Sequence, residues 1–362
     1  MRIHYDHQAF SIQEYGGISR YFYELVRQFQ SYPHIEVSNS VLFSNNEYIR
    51  RNKFFRPIPF FKCIKLQKRI KTMILLNEFK SMYTLKRDEF DLFHPTYYDT
   101  YYLKVKSKKP VVITFHDLIH EKFKQYDQIT LSNKKKVLNR ADQIISVSQS
   151  SKNDLIEHFN IPAERIKVIH LASSISFPED IIKEPSGVNY LLYVGGRNDY
   201  KNFLFFVTAI VPLLQKHPDL FLYCSGGGRF TKDEQKLFKE LKVEHKIKYH
   251  PATDDHLKRL YSNALAFFFP SIYEGFGLPL LEAMNCGCPI GASQTSSFPE
   301  VSGDAALYFN PHDKESILSV AEILINSPQF RAELRQKGFL RAKEFSWQKT
   351  AMKTYDLYKT LA

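Results

Sequence analysis

Short apolar runs alternate along this chain with stretches whose apolar residues recur at helical spacing. The runs VVITF (111–115), QIISVS (143–148), RIKVIH (165–170), YLLYVG (190–195), LFLYCSG (220–226) and LAFFFP (265–270) read as strands. Their near-continuous apolarity predicts strands covered on both faces, as in parallel sheets. Between them, ISRYFYELVRQF (18–29) places Ile18, Phe22, Leu25, Val26 and Phe29 on one side of a helix. Ser151-x-x-Asp154 reads as a capping box opening another helix. Strand and helix signals in alternation mean βα units and an α/β fold.

At 362 residues the chain exceeds what one core usually supports, so two domains are expected. The stretch FPEDIIKEPSGVN (177–189), polar and proline-punctuated between two strand signals, marks the boundary. This predicts domains at 1–178 and 185–345, both doubly wound, with their strand ends and ligand loops at one cleft. Four scattered cysteines do not make a disulfide framework, and Cys286-x-Cys288 lacks a second ligand pair for zinc. The start MRIHYDHQAF has no apolar signal-peptide core, and no run approaches the roughly 18 apolar residues that span a bilayer. A cytoplasmic location is expected.

Charge sharpens this picture. Of the 50 Lys+Arg and 38 Asp+Glu residues, 28 and 19 fall in residues 1–182. Between Glu47 and Glu78 there is no acid, yet Arg50, Arg51, Lys53, Arg56, Lys62, Lys65, Lys68, Arg69 and Lys71 lie there among Phe54, Phe55, Phe60 and Phe61. Basic residues among aromatics suit an anionic membrane surface, each charge adding about 1 kcal/mol near anionic lipid. RNA or a solvated loop would account for the same composition.

The densest candidate chemistry is PSIYEGFGLPLLEAMNCGCP (270–289). A loop carrying Glu274 follows a strand, Gly275 and Gly277 remove side chains, and Pro279 fits the first turn of a helix that carries Glu282 in that turn. Amides at a helix start attract an anion, and a carboxylate grips a vicinal diol. Together they suit a phosphate between two sugars, hence a nucleotide sugar. In YLLYVGGRNDYKNF (190–203), Gly195 and Gly196 form a turn before Arg197 and Lys201, whose like charges at that spacing could hold a diphosphate. No Asp-x-Asp occurs, so a departing diphosphate would rely on protein cations rather than metal. Gly16 and Gly17 open the helix at Ile18 without forming a GxGxxG fingerprint. His116 and Asp117 follow a strand, and FHPTYYDTYY (93–102) offers His94, Asp99 and four tyrosines able to stack on sugar rings.

These motifs resemble those of the family-4 retaining glycosyltransferases. FPSIYEGFGLPLLEAMNCGCPI and the following SSFPEVSGDAALYFNP (296–311) are similar to the family's Glu-x7-Glu motif and its continuation. YVGGRNDYKNF resembles its phosphate-gripping segment, and SVSQSSKNDL the end of its N-terminal domain. The resemblance covers nearly the whole chain and is densest over 190–311.

It implies the GT-B fold: two Rossmann-like, doubly wound domains facing across a cleft, with the last helix (about 346–362) packing back on the first. It implies catalytic roles for Glu274, Arg197, Lys201 and His116. Gly16, Gly17, Gly196, Gly275, Phe276, Gly277, Leu278 and Glu282 would join Arg197, Lys201 and Glu274 in holding the donor. No metal or other cofactor is expected, and no residue is nominated as a covalent nucleophile.

The expected reaction is transfer of a hexose from a nucleotide diphosphate sugar to a glycan or lipid-linked acceptor in surface polysaccharide synthesis. GDP-mannose or a related GDP-sugar is the first expected donor and a UDP-sugar the second. The expected location is the inner face of the membrane, with docking through residues 50–71 and no nucleic acid partner. The rivals are a nucleotide-sugar epimerase of the same architecture and a non-enzymatic basic protein that binds RNA or membrane. The segment LASSIS (171–176) departs from the Pro-Asn-Gly-Val turn of many relatives.

Overall fold

The computed structural model describes residues 1–50, 52, 54–60, 66–123, 128–175, 188–251 and 253–362. It divides into two compact units. One joins Met1–Leu171 to Trp347–Ala362, and the other is Ala172–Ser346. Most of the stretch read as a boundary, at 177–187, lies outside the described residues.

The first unit has two three-stranded parallel sheets. In chain order its strands are β1 (Arg2–Tyr5), β2 (Glu36–Asn39), β3 (Leu92–His94), β4 (Val112–Phe115), β5 (Gln143–Ser146) and β6 (Ile166–Val168). One sheet runs β2-β1-β3 and the other β4-β5-β6, and a parallel bridge from Phe93 to Val111 joins them. The resulting order, 2-1-3-4-5-6, reverses direction between β1 and β3. The helix Gly17–Phe29 buries Phe22, Leu25, Val26 and Phe29 as its periodicity requires.

The second unit holds β7 (Asn189–Val194), β8 (Leu220–Ser225), β9 (Ile247–His250), β10 (Ala266–Phe269), β11 (Ile290–Ser293) and β12 (Ala306–Phe309). Its single parallel sheet runs β12-β11-β10-β7-β8-β9, the mononucleotide-fold order, which reverses between β7 and β10. All four residues of β10 are buried, as a strand covered on both faces demands. On one face Phe206, Ile210 and Leu213 of the helix Phe203–Lys216 meet Ile317, Val320 and Leu324 of Lys314–Asn326, around Leu191, Leu222 and Phe268. Each large side chain so buried contributes about 1.5–3 kcal/mol.

The closing helix Trp347–Lys359 is built into the first unit's core. Tyr358 Oη lies 2.5 Å from His94 Nδ1 and 3.0 Å from Tyr5 Oη, and Thr350 Oγ1 donates to His170 O at 2.8 Å. His94 Nε2 lies 2.9 Å from Thr114 Oγ1. Burial pushes the His94 imidazole down to about 3, so it stays neutral.

One local expectation needs correction. The helix Gln149–Phe159 is capped by Ser148, whose extended backbone lets its side chain accept from Ser151 N at 3.0 Å. Ser151 is a buried residue of the first turn, and Asp154 pairs with Lys122 at 2.7 Å.

Candidate functional site

In an open α/β sheet, ligands meet the loops beyond the carboxyl ends of strands where the order reverses. In the second unit those loops follow β7 and β10. The first carries Gly195, Gly196, Arg197 and Lys201, and the second Glu274, Gly275, Phe276 and Gly277. The structure joins them directly: Lys201 Nζ donates to Glu274 Oε1, and Ser271 Oγ donates to the same oxygen at 2.8 Å. Tyr200 O also accepts from Ile272 N at 2.8 Å. The ion pair is largely withdrawn from water, at 15% side-chain exposure for Lys201 and 11% for Glu274.

A third loop, just past β11, fastens this arrangement. Thr295 Oγ1 donates to Ile272 O at 3.0 Å, and Ser296 Oγ accepts from Glu274 N at 3.2 Å. Ser297 Oγ reaches Glu274 O at 3.2 Å and Phe276 O at 2.7 Å. Gly277 has φ +101, and a Cβ there would lie 3.0 Å from Leu280 Cδ1, so the turn into the helix Leu278–Asn285 needs glycine. Pro279 sits in that helix's first turn. Glu282 stands one turn further in than the sequence suggested, and Tyr261 Oη donates to it at 3.2 Å.

Arg197 goes elsewhere. Its Nε donates to Glu234 Oε1 at 2.6 Å, its Nη1 to Gly226 O at 2.9 Å, and its Nη2 to the carbonyls of Gly228 and Arg229, both at 3.0 Å. The ion pair is buried, at 5% and 8% side-chain exposure. Gly226, Gly227 and Gly228 all have positive φ, which turns successive carbonyls onto the guanidinium. A Cβ on Gly227 would lie 3.0 Å from Arg197 Nη1. Glu234 belongs at once to the capping box of the helix Lys232–Glu240, accepting from Thr231 N at 2.6 Å. Arg197 and Lys201, whose spacing suggested a shared grip on a diphosphate, each hold an internal carboxylate: Arg197 pairs with Glu234 and Lys201 with Glu274. One cation faces Glu274, and the other gathers the glycine loop after β8. Gly196 O accepts from Tyr193 Oη at 2.5 Å.

In the first unit His116 directly follows β4. Its backbone N–H donates to Tyr98 Oη at 3.1 Å, and its ring packs edge-on to Tyr21. Burial, with Lys134 as a lesser cause, pushes its imidazole down to about 3, so it is a neutral group. Gly16 precedes the helix Gly17–Phe29, where Gln13 Oε1 already accepts from Ser19 N at 3.0 Å. A Cβ on Gly16 would strike the Gln13 side chain at 2.4 Å.

Of the basic aromatic segment, Arg51, Lys53, Phe61, Lys62 and Lys65 lie outside the described residues. Phe55 and Phe60 are buried against Phe10 and Phe43, and Arg50 pairs with Glu47 at 3.0 Å. Among the described residues no group of three His, Cys, Asp or Glu could hold a metal, and no helix is long and apolar enough to cross a membrane.

The sequence reading passed over Ser271, Thr295, Ser296, Ser297, Tyr261 and Glu234. Two signals were available. Thr231-x-x-Glu234 is a capping-box pattern, and the hydroxyl run Thr295-Ser296-Ser297 stands just before Phe298-Pro299.

Comparison with known proteins agrees with this architecture. The glycosyltransferase family 4 model matches residues 15–172, and that of the glycosyl transferases group 1 matches residues 175–341. The chain is 32% identical to the O-antigen chain mannosyltransferase B of Escherichia coli over 69% of its own length and 70% of that protein's. It is 32% identical to the serotype-specific mannosyltransferase WbdA of Escherichia coli over 63% of its length, and there spans only 30% of the relative. HepE of Anabaena, solved with UDP and glucose, superposes with a TM-score of 0.78 at 18% identity over the whole of both chains. With two Rossmann-like units and these matches end to end, the chain belongs to the family-4 glycosyltransferases of GT-B fold and is a glycosyltransferase.

Proposed function

We propose that this enzyme moves a hexose, with retention, from a nucleotide diphosphate sugar to a glycan or lipid-linked acceptor in surface polysaccharide synthesis, without a metal. GDP-mannose or a related GDP-sugar is the donor favoured, because the relatives most similar in sequence are named mannosyltransferases. A UDP-sugar is next, because a structural neighbour was solved with UDP and glucose. The observation that carries the reading is the Lys201–Glu274 pair at the strand-order reversal of the second unit. An ammonium there can turn to a leaving diphosphate while Glu274 takes sugar hydroxyls. Glu282, anchored by Tyr261 and half-buried, suits the ribose diol. The neutral His116 suits a hydroxyl of the transferred sugar, and Gly17 a backbone approach to phosphate. The place of work proposed is the inner face of the cell membrane.

The test is a donor panel with EDTA present: GDP-mannose, other GDP-sugars, UDP-glucose, UDP-galactose and UDP-GlcNAc, following binding and slow hydrolysis. One donor should bind and turn over. Lys201→Ala should lower turnover about 100-fold, and Glu282→Ala should raise the donor's KM. Nuclear magnetic resonance of the product should show the donor's anomeric configuration. Turnover abolished by EDTA and restored by Mg²⁺ would overturn the metal-free reading. An inverted product would overturn retention.

A further inference from the structure

Glu274 is held at three points by hydroxyl groups from two loops. Ser271 Oγ donates to its Oε1 at 2.8 Å, Ser296 Oγ accepts from its backbone N–H at 3.2 Å, and Ser297 Oγ reaches its carbonyl oxygen at 3.2 Å. Ser271 is 1% exposed and Ser297 is fully buried, so water does not compete for these bonds. The two loops follow β10 and β11, which pair with each other, so the clamp stands on adjacent strands.

The clamp makes the two carboxylate oxygens unequal. Ser271 and Lys201 both donate to Oε1. Oε2 has no hydrogen-bond partner among the described residues, and the side chain keeps 11% exposure. Two donors on one oxygen stop the carboxylate turning about its last bond, which leaves the other oxygen for a ligand. Lys201 alone would not do this, because an ammonium on a four-carbon stem is a point charge that either oxygen satisfies. The buried serine hydroxyl, three residues away on the same loop, tells the two oxygens apart.

Ser296 carries backbone strain at this spot. Its φ is +48, in the left-handed region that few side chains adopt. Asn160 and Asn202 share that region, as asparagine commonly does. Glycine would take it without strain. What glycine lacks is the hydroxyl that accepts from Glu274 N, and strain kept beside a ligand site points to function.

We infer that Ser271 and Ser296 are positioning residues of the transfer reaction: acting through Glu274, they hold Oε2 for a hydroxyl of the donor sugar and so contribute to which sugar is accepted. That a sugar meets Oε2 rests on the transferase reading above; that the two serines fix the carboxylate does not.

The test combines kinetics and crystallography on the full chain, with Ser271→Ala and Ser296→Gly as variants. The donors are GDP-mannose and UDP-glucose, each beside its monodeoxy analogues, and slow hydrolysis is followed. In the wild type at least one deoxy donor should react about tenfold or more slowly than its parent. In Ser271→Ala, kcat for the parent should fall about tenfold or more with KM nearly unchanged. The penalty for that deoxy donor should shrink about threefold or more. A variant whose fold was merely loosened would slow parent and analogue alike and leave their ratio unmoved. Ser296→Gly should also lower kcat, yet with a thermal midpoint at or above the wild type's, because strain is relieved as the hydroxyl is lost. Crystal structures of the unliganded variants should show the Glu274 carboxylate turned or spread over more than one rotamer.

Any of four results overturns the proposal. They are a wild type indifferent to every deoxy donor, a parent-to-analogue ratio unchanged in Ser271→Ala, a Ser296→Gly midpoint that falls in step with turnover, and a Glu274 carboxylate that stays in place in both variants. A carboxylate fixed in the wild type and released in the variants, with no donor of the panel hydrolysed by the wild type, would keep the clamp on Glu274 and sink the transferase reading.

Discussion

Arg197 and Lys201 are four residues apart and do different work. Lys201 presents its ammonium to Glu274, at the carboxyl end of the sheet, whereas Arg197 is enclosed by Glu234 and the carbonyls of the glycine loop. Breaking a buried ion pair from one side strands the other charge and removes about 3 kcal/mol or more of stability. We expect Arg197→Ala and Glu234→Ala to lower stability by similar amounts. The double variant should fall short of their sum by about 0.5–3 kcal/mol, read from urea unfolding. Simple additivity would mean that the two side chains are not coupled. The motif around Lys201 was legible in the sequence. The destination of Arg197 was not, because spacing alone cannot reveal a partner 37 residues away. Only the Thr231-x-x-Glu234 capping pattern hinted that Glu234 sits at a helix start.

Among the elements, the helix Leu66–Arg87 buries one side and exposes large apolar residues on another. Met73, Asn77, Ser81 and Leu85 form its buried stripe, with Asn77 Oδ1 accepting from Leu42 N at 3.0 Å and Phe43 N at 2.8 Å. Leu75, Phe79 and Tyr83 lie on another side with 51%, 66% and 58% exposure, and the exposed Lys68, Lys71, Lys80 and Lys86 are on the same helix. Such a face suits the boundary of an anionic bilayer. It supports the membrane reading better than Phe55 and Phe60, which point into the protein. Replacing Leu75, Phe79 and Tyr83 together by Ser should weaken sedimentation with phosphatidylglycerol vesicles about tenfold or more. Unchanged sedimentation would remove this helix from the membrane reading.

The same scale shows which strands a sequence reveals. Six apolar runs became β4, β5, β6, β7, β8 and β10; in β4, β5, β7 and β10 nearly every residue is buried, and burial on both faces writes itself as continuous apolarity, whereas β6 exposes Lys167. The edge strand β2, EVSN, has no buried residue and left no such trace. Strand β11, IGAS, uses small residues because its neighbour is large: a Cβ on Gly291 would meet Phe268 at 2.7 Å. That constraint belongs to the partner strand.

For the molecule as a whole, buried neutral histidines set an acid limit. His94 and His116 are pushed down to about 3 and His4 to about 4, from an ordinary 6.5, by burial. Below pH 6.5 the unfolded chain takes up protons on these groups that the folded chain refuses. Stability is therefore fully present above that pH and is lost as pH falls towards 3. The slope is at most about 1.4 kcal/mol per pH unit for each histidine. Urea midpoints should fall steeply between pH 6.5 and 4. His94→Gln should be less stable at pH 7 yet have a shallower acid limb. A variant whose acid limb runs parallel to the wild type's would remove His94 from this account.

The helix Trp347–Lys359 also decides the order in which the enzyme can be made. Residues 172–346 form a contiguous unit and can close as soon as they emerge from the ribosome. The first unit, although synthesised earlier, must wait for Tyr358 to meet Tyr5 and His94. During translation it is an unfinished sheet with an open groove where the last helix will lie. A released chain truncated before residue 347 would thus carry a finished second unit behind an incomplete first one, and its protease-sensitive part would be the N-terminal half.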